Sequence, residues 1–294
     1  MVEPTTVAPR CFLCQSETLY WFTSTNQGVG PNLVFEIYRC SKCKSTMINP
    51  VPENLDPYYS DYHSLPTGRS LNRAVRGCKN RLRLMKTLSN GQQKVLDIGA
   101  GSGAFALACF NHGIETQAIE INSLCRKYIK ATLGVDVSRD LGEYFTKNLP
   151  IPNFVTLWHV FEHIPNPDEF IKQISQNFGT ETKIIIEVPN SESWQFLVMR
   201  AKWPHLDVPR HSFIPSELGI KLLAKKYNLQ VAHVRNRDFA SWSAFGIANL
   251  GIRNRTSQIE KILRRAIQIF LTPLFILEPQ KISATRSYVL TKEK

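Results

Sequence analysis

The chain has 294 residues, 43% hydrophobic and 20% charged, which excludes a disordered or fibrous protein. That length predicts about two domains and is enough to bury a full core without disulfide staples. Thirty-six Lys and Arg against 24 Asp and Glu give a net +12, which favours an anionic partner: a phosphorylated substrate, a membrane surface or nucleic acid.

Residues 1–9 lack the basic-then-apolar pattern of a signal peptide, so a cytoplasmic location is expected. Two short blocks then echo each other, Arg10-Cys11-Phe12-Leu13-Cys14 and Arg39-Cys40-Ser41-Lys42-Cys43. Strand-like pieces at 19–23 and 33–39, separated by a turn at 26–31, fill the gap between them. Two such pairs supply four thiolates for a tetrahedral Zn2+, and a shell of four thiolates leaves no open position, so the predicted metal is structural. The alternative is a pair of disulfides. Glycine often follows each knuckle; here Gln15 and Lys44 stand instead. Cys78, Cys109 and Cys125 fall on helix patterns and read as packing residues.

Residues 1–50 thus form a zinc-ribbon-like unit. Residues 51–92 hold a linker rich in Pro and Tyr (Tyr58, Tyr59, Tyr62) and then one amphipathic helix over 69–88. Leu71, Val75, Cys78, Leu82 and Met85 recur at spacings of three and four, with seven Lys or Arg between them. That basic face either grips RNA, lies over an acidic substrate, or is simply solvated.

From residue 93 to 294 strands alternate with helices. Strands are predicted at 95–98, 116–121, 155–160, 183–188, 230–234 and 287–291. Helices are predicted at 104–111, from an Asn122 cap to Gly134, from Asn166-Pro167-Asp168-Glu169 onward, and at 216–226. Strands apolar on both faces imply a parallel sheet covered on both sides, an α/β doubly wound, Rossmann-like domain. Its ligand belongs at the C-terminal strand ends. No run reaches the ~20 apolar residues of a membrane span. The longest apolar tract, 266–277, is broken by Gln268, Thr272 and Pro273. With Lys261, Arg264 and Arg265 before it, that segment either packs on the sheet or rests on a membrane surface.

The most informative stretch is Val95-Leu96-Asp97-Ile98-Gly99-Ala100-Gly101-Ser102-Gly103. Glycines allow a sharp strand-to-helix turn and close approach of a ligand to the backbone. Glu120, 21 residues after Gly99, ends the next strand, where an acid can hold both ribose hydroxyls of an adenosine. The spacing also admits a dinucleotide dehydrogenase. Asp97 argues otherwise: a carboxylate there would repel a pyrophosphate and suits a ligand with an ammonium group.

These residues, with the block Leu157-Trp158-His159-Val160-Phe161-Glu162-His163-Ile164-Pro165-Asn166-Pro167, resemble the class I S-adenosylmethionine-dependent methyltransferases over about 94–291. The resemblance implies that Asp97, Gly99, Ala100, Gly101 and Gly103 contact the methionine and ribose. It implies that Glu120, with Ile121 beside it, holds the ribose, that Asp140 and Leu141 flank the adenine, and that His159 borders the cofactor. A zinc ribbon and Tyr-rich linker ahead of such a domain resemble a bacterial group that methylates sugars in surface-polysaccharide, glycolipid or antibiotic pathways. The carbon-methylating relatives carry a further C-terminal domain, so O-methylation is expected. The implied partner is a small-molecule or lipid-linked anionic sugar, met in the cytoplasm or at the inner membrane face.

Methyl transfer to a hydroxyl needs alignment and a nearby base. His159, Glu162 and His163 follow a strand at the edge where substrate should sit. Asp207-Val208-Pro209-Arg210-His211 resembles a block of the polysaccharide-linked group: Arg210 would hold a substrate phosphate and His211 would be the base, unless Arg210 and Asp207 merely brace the loop. Catalytic roles are therefore expected for His159, His163 and His211, and substrate contacts for Glu162 and Arg210. An RNA methyltransferase, which would use the ribbon and the basic surface, lacks an N-P-P-Y-type block here and is the less favoured reading. A non-catalytic module that only binds the cofactor is a third.

Overall fold

The computed structural model describes residues 8–26, 30–31, 33–59, 65–89, 91, 93–236, 262, 265–266 and 283–293. The N-terminal part has strands β1 (Thr18–Thr25), β2 (Val34–Cys40) and β3 (Thr46–Asn49), then helices α1 (Gly68–Gly77) and α2 (Lys79–Leu88). There follow β4 (Lys94–Ile98), α3 (Ala104–Phe110), β5 (Glu115–Ile119), α4 (Ser123–Leu133), β6 (Val137–Ser138) and α5 (Leu141–Thr146). The chain goes on through β7 (Phe154–Trp158), α6 (Pro167–Asn177), β8 (Lys183–Pro189), α7 (Trp194–Met199), β9 (Phe213–Ile214), α8 (Glu217–Lys226), β10 (Leu229–Asn236) and β11 (Thr285–Lys292).

The large sheet has the order β10-β11-β8-β7-β4-β5-β6. Strands β4 to β8 pair parallel, but β11 runs antiparallel to both of its neighbours. The sheet is therefore mixed, where the apolar pattern predicted an all-parallel one. A strand buried on both faces is apolar in either direction, so pattern does not reveal polarity. The middle strands β7 and β8 are buried along nearly their whole length, and helices on both faces shield them. Local signals hold at the helix starts. Asn122 accepts from the amides of Leu124 and Cys125, and Asn166 from Glu169.

The helix expected over 69–88 is broken at Cys78. Gly77 gives the weakest helical support there, and Cys78 turns inward to 4% exposure with its thiol on the Ala74 carbonyl. The bend lets α2 bury Leu82, Leu84 and Met85 while α1 buries nothing.

The N-terminal sheet is four-stranded, in the order β1-β2-β3-β9. Its last strand comes from the region expected to belong to the larger domain, through Thr46↔Ile214 and Met47↔Phe213. Gln15 and Lys44 take the left-handed backbone (φ 58° and 66°) that usually selects glycine after a cysteine knuckle. Among the described residues no helix is long and apolar enough to cross a membrane. The segment 261–277, apart from 262 and 265–266, and the linker residue Tyr62 lie outside the described residues.

Candidate active site and cysteine centre

The site lies on the C-terminal edge of β4, β5, β7 and β8. At its first end, β4 delivers Asp97 and the chain turns through Gly99, Gly101 and Gly103, all with positive φ. A Cβ on Gly99 would stand 2.5 Å from a Val160 methyl, so the turn packs against the segment after β7. A Cβ on Gly101 would meet nothing within 4 Å: there the backbone faces open space. Gly99→Ala combines overpacking with a left-handed backbone and is expected to cost about 2–5 kcal/mol of stability. Gly101→Ala should cost only about 1–2 kcal/mol and instead weaken ligand binding. Thermal melts with and without ligand separate the two effects.

Glu120 is 8% exposed, and its two carboxylate oxygens accept from the Gly101 amide (2.7 Å) and the Asn122 amide (2.8 Å). The predicted ribose acid is thus fastened to the glycine loop. Beside it Ile121 is 80% exposed, an uncovered apolar side chain. Asp140 caps α5, accepting from the Glu143 amide, and Leu141 is buried beneath it. Pairing of β5 with β6 and the Glu120 amide bond to Ser138 bring this corner next to Glu120. Asp97 is 2% exposed and accepts a 2.8 Å bond from Thr156 Oγ1. Burial pushes its carboxyl up to about 7, against the pull of Thr156 and Arg81.

The other end begins where β7 stops. His159 has φ 59°, a strained conformation for a non-glycine residue and one that recurs at functional sites. Its Nδ1 is 3.3 Å from Glu162 Oε1 and its Nε2 is 3.6 Å from Glu187 Oε1. Burial opposes a charge on His159, but Glu162 and Glu187 outweigh it and raise its affinity for a proton. Glu162 is fully buried, and His159 holds it ionised despite that burial. One of its oxygens, Oε2, is buried with no hydrogen-bond partner.

His163 and His211 stack edge to face across Glu162, ring centroids 4.7 Å apart. His163 Nδ1 bonds the Arg210 carbonyl at 2.8 Å and His211 Nδ1 the His205 carbonyl at 2.9 Å. Those two contacts assign the proton to Nδ1 in each ring and leave Nε2 as an acceptor. Burial lowers His211 to about 4, so its imidazole is neutral at pH 7 and a weak base. Lone-pair atoms of Glu162, His163 and His211 lie within 4.8 Å of one another, close enough to converge on one cation.

From sequence, His159, Glu162 and His163 were expected after one strand and His211 in a second block between later strands, both on the ligand side; the fold brings the two blocks together. Arg210 forms the pair with Asp207 (Nη2 to Oδ1, 2.6 Å), the bracing alternative to a substrate contact. Three participants were missed. Tyr59 reaches back from the linker to lie 3.1 Å from His163 Nδ1. Glu187 ends β8. Arg81, one of the basic residues of the predicted helix, points inward to Glu187 and lies over the Trp158 ring. Tyr-rich composition hinted at the first; an isolated Arg or Glu carries no such signal.

The four N-terminal cysteines converge, with sulfurs 3.6 Å apart for Cys11–Cys43 and 3.5 Å for Cys14–Cys40. A disulfide needs about 2.05 Å. Tetrahedral zinc with bonds of about 2.3 Å spaces its sulfurs about 3.8 Å apart. All four donor atoms lie within 4.8 Å, and the Cys43 amide points at the Cys40 sulfur, so the residues fit a zinc ion.

An open α/β sheet with a glycine turn and an acid at the end of the next strand defines a nucleoside-binding, methyltransferase-like architecture. A methyltransferase-domain family model matches residues 69–234, more than half of the chain. The chain belongs to that family and is an enzyme, a methyltransferase. Among solved structures it is similar to a SAM-dependent methyltransferase from Archaeoglobus fulgidus: 20% identity, TM-score 0.51, covering 74% of this chain and 94% of that one. It is also similar to the plantazolicin methyltransferase: 15% identity, TM-score 0.47, 80% and 88% covered. No curated protein matches.

Proposed function

We propose that the enzyme O-methylates a sugar, free or lipid-linked and anionic, in surface-polysaccharide, glycolipid or related glycan biosynthesis. The observation that carries the acceptor chemistry is Glu162 Oε2, a buried carboxylate oxygen without a hydrogen-bond donor, on a carboxylate that lies within 4.8 Å of ring nitrogens of His163 and His211. An unmet buried acceptor costs about 1–3 kcal/mol, which an incoming hydroxyl would recover. The sugar itself is inferred from the resemblance of a ribbon, Tyr-rich linker and methyltransferase domain to bacterial sugar methyltransferases. Tyr59, 3.1 Å from His163 Nδ1, suits a polar acceptor.

Bound S-adenosylmethionine supplies an electrophilic methyl on a positive sulfur. Asp97 would receive its ammonium group, Glu120 its ribose hydroxyls, and Ile121 with Asp140 and Leu141 its adenine. Glu162 accepts the hydrogen bond of the acceptor hydroxyl, and the His163 and His211 rings stand beside it. The hydroxyl proton passes through the Glu162 carboxylate to His159 Nδ1, 3.3 Å from it, and Glu187 beside Nε2 stabilises the imidazolium that forms. Cys11, Cys14, Cys40 and Cys43 hold structural zinc.

A methyl-labelled donor incubated with glycan, lipid-linked sugar and RNA fractions tests the reading. Label is expected in a sugar hydroxyl; label in RNA alone overturns it, as does tight donor binding with no turnover on any fraction. His159→Ala should lower kcat about 100-fold or more, with cofactor affinity within about threefold of wild type. Unchanged kcat would remove His159 as the base.

A further inference from the structure

We propose that Arg81 of α2 is a cofactor-binding residue that moves between two carboxylates: Glu187 when the site is unliganded, and the α-carboxylate of S-adenosylmethionine when it is filled. The inference rests on the cofactor assignment and adds a residue and a coupling to it.

The methionine end of the cofactor is a zwitterion. Asp97 answers its ammonium, so a cation must answer its carboxylate within a few ångströms, because a buried carboxylate without a partner is costly. Arg81 stands in that position. Its guanidinium carbon lies 4.8 Å from the centre of the Trp158 ring, at the end of the strand beside β4. Its charge reaches both Asp97 and His159, on the two sides of the site. Trp158 offers a planar platform on which a guanidinium can slide without losing contact.

At present Arg81 donates to Glu187 Oε1 through both Nε (3.2 Å) and Nη2 (2.8 Å). The same oxygen is 3.6 Å from His159 Nε2, while the second oxygen accepts from Ser287 Oγ. One carboxylate oxygen thus serves two cations in turn. When Arg81 leaves for the cofactor, Glu187 Oε1 turns wholly to His159. It then supports the imidazolium formed when the acceptor loses its proton. Arg81 is thereby a positioning residue for His159 as well as a ligand-binding one: the base is armed when the methyl donor is present.

The test uses two sulfonium nucleosides that differ by one group, S-adenosylmethionine and its decarboxylated analogue, titrated calorimetrically into the full chain. Wild type is expected to prefer the carboxylated compound about 10- to 100-fold, the range of a charge-assisted double hydrogen bond. Arg81→Ala should reduce that preference to about threefold or less. Arg81→Lys, which keeps a point charge on a helix-compatible side chain, should retain an intermediate preference and serves if the alanine variant does not fold. Glu187→Gln removes the competing carboxylate, so it should leave cofactor affinity equal or tighter while lowering kcat. Full preference in both Arg81 variants, or weaker cofactor binding in Glu187→Gln, overturns the proposal. Equal affinity of wild type for the two compounds overturns it while sparing the cofactor assignment; no affinity for either overturns both.

Discussion

Asp97→Asn is expected to abolish useful cofactor affinity and, at the same time, to stabilise the ligand-free protein above neutral pH. The carboxyl is buried at 2% exposure, with Thr156 Oγ1 as its hydrogen-bond donor. Burial raises it from 3.8 to about 7, so the fold prefers the protonated form. The sign follows. Between those two values the folded state holds a proton that the unfolded state has released, so stability falls as pH rises. Below about pH 4 both states are protonated and the residue contributes nothing. Above about 7 both are ionised and the penalty is complete. About three units correspond to about 4 kcal/mol at most. Asparagine keeps the Thr156 bond and never ionises. The variant should therefore gain melting temperature over wild type, slightly at pH 5 and fully at pH 8. Its loss appears with ligand. Removing one partner of a buried charge pair costs about 2–5 kcal/mol, so calorimetry should show affinity for S-adenosylmethionine at least about 30-fold weaker. Wild type should also release a proton on binding near pH 6, as the ammonium group forces Asp97 to ionise. Wild-type affinity in Asp97→Asn would remove this residue from the cofactor site. The instability of the empty pocket is then the consequence of keeping an anion ready for a cationic ligand.

How much of this was readable in the sequence depended on how local each feature is. The proposed cofactor end lies within one strand, one glycine turn and the next strand, so spacing alone brings Asp97, the glycines and Glu120 near one another. The fold adds a bond that spacing did not announce, from the Gly101 amide to the Glu120 carboxylate. The acceptor end draws on two loops about 50 residues apart. Each block stood out by residue type, but their meeting depends on β9 and on the Ser212 amide bonding the Glu162 carbonyl. A two-residue strand such as β9 has too few positions to show a period. Strand β11 was found, yet its direction was not, because an apolar strand reads alike both ways. Arg81 was hidden most completely. It occupies a polar position of an amphipathic helix, where a solvated arginine and one aimed at a buried glutamate have the same pattern. His211 shows the converse. Its residue type and motif suggested a base, but burial and the His205 carbonyl leave it a neutral acceptor.

The other large effect is expected from Cys14→Ser, through structure alone. Cys14 is the most exposed of the four N-terminal cysteines, so serine there removes one of the four thiols proposed to hold zinc with little loss of packing. Zinc binding in so small a unit is worth on the order of 10 kcal/mol, comparable to all the stability such a segment can have. Zinc content should fall from one per chain to none, and β1 and β2 should lose protection from hydrogen exchange. The loss should travel. Ser216 Oγ donates to the Cys43 carbonyl, the Ser216 amide bonds Ser45 Oγ at 3.0 Å, and the Ile48 amide bonds the Ser212 carbonyl at 3.1 Å. Those bonds, with the pairing of β3 and β9, fix the chain immediately after His211. Loosened there, Glu162 and His211 lose their alignment, and ordering of a few residues is commonly worth about 100-fold in rate. Asp97 and the glycine loop share none of these contacts, so cofactor affinity should stay within about threefold of wild type. A drop in kcat with cofactor binding preserved, and faster exchange over 212–216, is the expected signature. Full turnover in a zinc-free variant would show that the cysteine centre and the catalytic loop are independent.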